Sequence, residues 1–390
     1  MESDRSQVKA DTSNDDKQNI QTTENISDKQ MGEVTAKTPD MNFDRGAIEE
    51  KHYSTLKHVG QGTFGVVKKA MDNRTKRYVA IKKIPIEMGC PTRELQLLQE
   101  MKHPNCIYVL NSFHTEEKKN EESPKRYMNI VLEYIPDNLY KIISHYSKAR
   151  ANFPDTLGMV YSYQLFRCLH YLQAVKIMHR DIKPQNVLVD TKRHQIFVCD
   201  FGSAKRFNSD EPSASYICSR FYRAPELLLG NETYGSAVDL WSVGCVMAEM
   251  YLGIPIFIGE NSKDQLKKIA EIIGYPDDYD LRAMGVKKAD HFDGVKPSNV
   301  KKRLTGKANP QAIDLISKVL LYNPEKRIRP LDALLHPYFD PLRERKITIN
   351  KQEIVDLFNF MPEEMKGNER LIAKLTPAWY YKTEEYKKSK

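Results

Sequence analysis

Asp181, Lys183 and Asn186 fall within one run, His179-Arg180-Asp181-Ile182-Lys183-Pro184-Gln185-Asn186, and Asp200-Phe201-Gly202 begins fourteen residues after Asn186. Asp181 offers a general base and Lys183 a neutralising charge. The amide oxygen of Asn186 and the carboxylate of Asp200 suit a hard cation such as Mg2+. Transfer of a phosphoryl group needs such a set, because its transition state is loose and anionic and is helped mainly by positioning and charge neutralisation. His179 and Phe201 read as packing residues.

Upstream, Gly60-Gln61-Gly62-Thr63-Phe64-Gly65-Val66-Val67 spaces three glycines so that backbone can approach phosphates without a Cβ in the way. A similar glycine pattern opens a helix in dinucleotide-binding folds. Here Val66 and Val67 favour a strand, so a hairpin covering a nucleotide is expected. Lys82 follows Val67 by fifteen residues, inside Val79-Ala80-Ile81-Lys82. A strand lysine there could bridge nucleotide phosphates, and Glu94 on the following helix is the carboxylate to hold it.

The elements that must position these groups change character along the chain. Residues 1–50 contain a single aromatic residue and are polar, so they are expected to be a disordered extension that cannot offset its ordering entropy by burial. From 51 to 135 the sequence is strand-like, with Val66-Val67, Tyr78–Ile81 and Asn129–Leu132 as candidate strands. One helix interrupts them, capped by Thr92 and running through Arg93–Leu98. Glu116–Arg126 reads as a solvent-exposed hairpin loop. Beyond 136 helical periodicity dominates, with Val160–Gln173 and Ala237–Leu252 as the clearest segments. The expected architecture is α+β, a small β-rich lobe (51–135) and a larger helical lobe (136–343) with a cleft between them, followed by a tail, 344–390.

Composition narrows the partners. With 60 Lys and Arg against 52 Asp and Glu the formal charge is +8, but the cations are dispersed and no aromatic-interleaved basic stripe suggests a nucleic-acid partner. No run is apolar for the length of a membrane helix, so no membrane is expected. Six cysteines at 90, 106, 168, 199, 218 and 245 form no Cys-x-x-Cys pair and read as reduced, mostly buried thiols.

Taken together, the glycine loop, the lysine with its glutamate, His-Arg-Asp-x-Lys-x-x-Asn and Asp-Phe-Gly resemble the phosphate, catalytic and metal loops of protein kinases. The segments Asp200–Lys205 and Ser215-Tyr216-Ile217-Cys218-Ser219-Arg220-Phe221-Tyr222-Arg223-Ala224-Pro225-Glu226 are similar to glycogen synthase kinase 3, of the group that also holds cyclin-dependent and MAP kinases. The resemblance covers about residues 50–343 and continues more weakly to Leu357-Phe358-Asn359-Phe360, similar to a family segment that packs back on the large lobe.

That resemblance implies the bilobal kinase fold and a serine/threonine protein kinase using ATP and Mg2+ on protein substrates. It places Gly60, Gly62, Phe64, Gly65, Val67, Ala80, Lys82, Leu132, Glu133, Ile135 and Leu188 around the nucleotide. Backbone groups of Glu133 and Ile135 would bond adenine, and Leu132 would guard the back of the pocket. Asp181, Lys183, Lys82 and Glu94 would be catalytic, with Asn186 and Asp200 on the metal. Arg93, Arg180 and Lys205 would accept a phosphate already present on the substrate, four residues C-terminal to the target. Tyr216 would be a phosphosite with Arg220 and Arg223 as counter-charges. Glu226 would pair with Arg327, and Asp239 would anchor the catalytic-loop backbone. The expected compartment is the cytoplasm, with the nucleus as a second. The first fifty residues lack the family's Arg-rich stretch with an inhibitory serine, and Lys267, Lys268, Lys287 and Lys288 stand where the family is often apolar, so scaffold partners stay open. Two other readings are a pseudokinase scaffold and a cyclin-dependent-type kinase awaiting a partner; the complete set Lys82, Glu94, Asp181, Asn186 and Asp200 weighs against the first, and the activation segment against the second.

Overall fold

β-Branched and aromatic residues set the first half of the fold. Five strands, β1 (Tyr53–Gly62), β2 (Gly65–Asp72), β3 (Arg77–Pro85), β4 (Val109–Glu117) and β5 (Lys125–Glu133), form one antiparallel sheet in the order β1-β2-β3-β5-β4. The computed structural model describes residues 49–62, 65–86, 93–117, 124–207, 212–286 and 298–382. All of them fall in the unit Asn42–Lys390. The expected disordered extension (apart from its last two residues), Phe64, the cap Thr92, Cys90, Lys287 and Lys288 lie outside the described residues.

The three strands read from the sequence lie in β2, β3 and β5. β1 and β4 carry lysines, histidines, serines and asparagines among their apolar positions and give a weaker sequence signal. The expected exposed hairpin loop at Glu116–Arg126 is corrected at both ends. Glu116 pairs with Arg126 and Glu117 with Lys125, so the strands run on into that segment. Opposite charges facing across the ladder, with Arg126 Nε 3.3 Å from the Glu116 carboxylate, let a polar sequence hold strand geometry.

Helix α1 (Arg93–Glu100) interrupts the strands and turns Glu94, Leu95, Leu97 and Leu98 inward. After β5 the chain passes β6 (Asp137–Asn138) into α2 (Leu139–Lys148), whose first turn is capped by the Asn138 side chain accepting from Lys141 N–H. Next come the long α3 (Asp155–Ala174), β7 (Ile177–Met178), β8 (Val187–Asp190), β9 (Gln195–Val198) and β10 (Lys205–Arg206). Two small sheets, β6-β8-β9 and β7-β10, hold the loops that follow β7 and β9. α4 (Pro225–Leu228), α5 (Ala237–Leu252) and α6 (Ser262–Ile273) continue the helical half. α3 and α5 are buried nearly all round, which is why their apolar residues are not confined to one stripe. No helix among the described residues is long and apolar enough to cross a membrane.

The C-terminal segment lies along α3. Arg167, fully buried on that helix, donates to both carboxylate oxygens of Glu364 (3.0 and 2.6 Å), to Leu357 O and to the side chain and carbonyl of Asn359. Its guanidinium sits 4.5 Å from the Phe360 ring centre, and Phe358 is buried against Tyr163.

Candidate active site

Lys82 lies on β3, paired with Val67 of β2 on one side and Ile130 of β5 on the other. Its Nζ reaches both carboxylate oxygens of Glu94 at 2.8 Å and Asp200 Oδ1 at 2.6 Å. Strand, helix and post-β9 loop thus meet at one ammonium. Lys82 and Glu94 are only 6 and 5 % exposed, so each needs the other to be charged there. Burial works against the ammonium, but Glu94 and Asp200 outweigh it and hold Lys82 above its ordinary range. Burial also disfavours the Asp200 charge, and Lys82 again prevails, holding that carboxyl below its usual value.

The loop after β7 is built around a buried carboxylate. Asp239, in the first turn of α5, accepts from His179 N and Arg180 N at 2.8 Å each. This is the anchoring expected from the sequence. It fixes a strained residue, since Arg180 takes φ 66°, in the left-handed region; Asp200, in the loop after β9, takes φ 64°. His179 accepts Asp181 N–H at Nδ1, reaches Cys199 O through Nε2 (3.0 Å) and packs edge-on against Phe201.

With that backbone set, Asp181 gathers four donors from three side chains and a backbone amide. Lys183 Nζ lies 2.7 Å and Asn186 Nδ2 3.0 Å from Oδ2. Ser219 donates to Oδ1 through both its amide (3.0 Å) and its hydroxyl (2.9 Å), and Lys183 also reaches Ser219 Oγ at 2.8 Å. Ser219 lies in the activation segment, where its position alone gives it no role. Its contact with Asp181 spans thirty-eight residues, and no local spacing signals it.

Most residues expected around a nucleotide lie in the sheet and the chain just beyond it, and Leu188 lies on β8. Gly60 pairs with Val67, and Gly62 with Gly65, so the hairpin forms at the glycines as expected. A Cβ on Gly65 would stand 2.4 Å from Lys83 O, so glycine is required where β2 crosses β3. Ala80 pairs with Leu132, which is buried, and Glu133 ends β5. Ala80, Ile135 and Leu188 are partly buried against the core and keep apolar surface open. Phe64 lies outside the described residues.

Of the three expected phosphate-binding cations, Arg180 and Lys205 converge on one segment. Arg180 donates to Ser203 O (2.7 Å) and Tyr234 OH (3.0 Å), and Tyr234 donates on to Ala214 O. Lys205 Nζ donates to Pro212 O (2.9 Å) and Ser213 Oγ (3.2 Å). Arg93 opens α1 with an exposed side chain. Tyr234, which organises Arg180, carries no motif signal in the sequence.

Tyr216 is 61 % exposed, with the Arg223 guanidinium 4.5 Å from its ring centre. Arg223 itself is tied to Ile217 O and Cys218 O. Arg220 reaches Glu260 O instead of the ring. Glu226 and Arg327 form the expected buried, two-pronged ion pair at 2.6 and 2.7 Å.

The donor set fits a divalent cation. Asn186 gives its amide N–H to Asp181 O and Oδ2, which leaves its carbonyl oxygen as the ligand atom. Lys82 takes Asp200 Oδ1, which leaves Oδ2. Two hard oxygens, one neutral and one anionic, suit Mg2+. Cys199 N–H donates to Asn186 O at 2.9 Å and holds the two segments in register.

The protein-family model of the protein kinase domain matches residues 53–339, most of the chain, and the chain belongs to that family. It is therefore a phosphotransferase that uses ATP and a divalent metal and acts on proteins.

Proposed function

We propose that this protein kinase transfers the γ-phosphoryl group of Mg-ATP to serine or threonine hydroxyls, and favours substrates that already carry a phosphate four residues C-terminal to the target. The observation that carries the catalytic reading is the closed arrangement of Lys82, Glu94 and Asp200 beside a fully bonded Asp181. Asp181 Oδ1 already receives one aliphatic hydroxyl, that of Ser219, and Lys183 donates to the oxygen of that hydroxyl. A substrate serine or threonine would present the same chemistry to the same carboxylate. Asp181 then orients the hydroxyl and accepts its proton, and Lys183 offsets charge on the transferred group. Lys82, held by Glu94, steadies the α- and β-phosphates. Asn186 and Asp200 would hold the cation, which when bound neutralises the phosphate oxygens.

Support for the primed preference comes from Arg180 and Lys205. The bonded partners of the Arg180 guanidinium are a carbonyl and a phenol rather than a carboxylate. Among the described residues, its charge is thus positioned without being cancelled by a carboxylate, as a phosphate site requires. Lys205 adds a second cation on the same segment, and Arg93 a third at the start of α1.

The test is transfer from radiolabelled Mg-ATP to a general protein substrate, followed by phosphoamino-acid analysis, on the wild type and Asp181→Asn. Label on serine and threonine, lost in the variant, is expected. Label on tyrosine, or normal turnover by the variant, would overturn the reading.

A further inference from the structure

Behind the loop that carries Asp200, Cys106 and Cys168 face each other inside the core with their sulfurs 3.6 Å apart. Both are buried, and sixty-two residues separate them. Rigid backbone presents each one. Cys106 lies in the loop after α1, which is stitched to β9 by Ile107 N–H on Val198 O (3.0 Å) and Val198 N–H on Asn105 O (2.8 Å). Cys168 lies one turn beyond Gln164 on α3, and Gln164 Oε1 accepts from Asn105 Nδ2 at 2.9 Å. The loop and the helix are therefore already joined beside the pair.

We propose that Cys106 and Cys168 are a redox-sensitive dithiol that hydroperoxides convert to a disulfide joining the α1–β4 loop to α3. His103 argues against a metal as the purpose of the cluster, although one of its ring nitrogens and both sulfurs lie within 4.8 Å of one another. His103 Nδ1 accepts the Asn105 N–H at 3.1 Å, so Nε2 carries the proton. Neither nitrogen then offers a lone pair to zinc, and shifting the proton to Nδ1 would set it against the Asn105 N–H. Nε2 instead has no hydrogen-bond partner among the described residues, with Glu364 Oε2 at 3.5 Å.

The pair is also asymmetric. The contact between the two sulfurs holds the Cys106 thiol down to about 6, while the same contact and burial push Cys168 well above its ordinary value. Cys106 is thus the attacking thiolate and Cys168 the resolving thiol. The Cys106 sulfur attacks one oxygen of hydrogen peroxide, an S–O bond forms, the O–O bond breaks, and hydroxide leaves to become water. Cys168 then attacks the sulfenic sulfur, the S–S bond forms, the S–O bond breaks, and a second water leaves with the Cys168 proton. The two sulfurs lose two electrons, and the peroxide gains them. Burial makes the first step wait on local opening, so the reaction is slow rather than absent.

The test treats the full chain, in native buffer, with hydrogen peroxide. Remaining thiols are then alkylated under denaturing conditions, and the digest is read by mass spectrometry without reduction. A bridged peptide pair containing Cys106 and Cys168, two hydrogens lighter than its parts and separated by dithiothreitol, is expected. In Cys168→Ser, Cys106 is expected to stop at the sulfenic acid and take up a 1,3-dicarbonyl trap. Recovery of both cysteines as singly alkylated thiols, at peroxide doses that oxidise glutathione in the same tube, would overturn the proposal. So would stoichiometric zinc in the purified wild type by elemental analysis, which would make the cluster a metal site. The wild-type result decides the matter even if a variant fails to fold.

Discussion

Asp181→Asn keeps the shape of the side chain and removes its charge. It is expected to lower kcat by roughly 100- to 10,000-fold, the range for loss of a positioned general base. Affinity for an ATP analogue should stay near wild type, because Lys82, Glu94 and Asp200 bond one another without Asp181. Paired turnover and nucleotide-binding measurements check this. Arg93→Ala is expected to reduce kcat/KM on phosphorylated substrates while sparing unphosphorylated ones, since Arg93 is exposed and lies outside the Lys82–Glu94–Asp200 cluster. At this scale the site was largely legible. Asp181, Lys183, Asn186 and Asp200 sit close in sequence, and their spacing carries their chemistry. Ser219 and Tyr234 were not legible in role, because they act only through contacts made across thirty-eight and fifty-four residues.

Elements bring distant charges together, and two of these meetings set stability. Arg167 of α3 and Glu364 of the C-terminal segment are both buried, and Arg167 helps hold Glu364 at about 2 despite burial. Glu364→Ala leaves an unpaired guanidinium in the core and is expected to cost about 3–5 kcal/mol, read as a fall in denaturation midpoint. Because its folded value is depressed from 4.5, the stability from Glu364 is present above that pH and is lost as pH falls towards 2. Glu249 of α5 behaves in the opposite sense. Burial raises it to about 7, against the hydrogen bond from Tyr222 OH at 2.7 Å. Its contribution is present below about 4.5 and is lost as pH rises through 7. Glu249→Gln is expected to flatten stability across that window, measured by urea unfolding at several pH values, because the amide oxygen still accepts from Tyr222. The helices carrying Arg167 and Glu249, α3 and α5, were readable from periodicity. The Arg167–Glu364 pairing was not, since it joins residues nearly two hundred positions apart.

The whole molecule joins a five-stranded sheet to a helical body, and the site lies where Lys82 of the sheet meets Asp200 of the body. That division followed from the switch from strand-like to helical patterning near residue 135. β1 and β4 escaped notice because polar residues interrupt their apolar positions and cross-strand pairing holds them instead. The protein kinase family membership agrees with the motifs, while the finer reading turns on Arg93, Arg180 and Lys205 acting together. The most direct test compares kcat/KM with Mg-ATP on two peptides containing Ser-x-x-x-Ser, one of them phosphorylated on the C-terminal serine. A strong preference for the phosphorylated peptide, abolished by Arg93→Ala, is the expected result. Equal activity on both would leave a protein kinase in place and contradict the primed-substrate site.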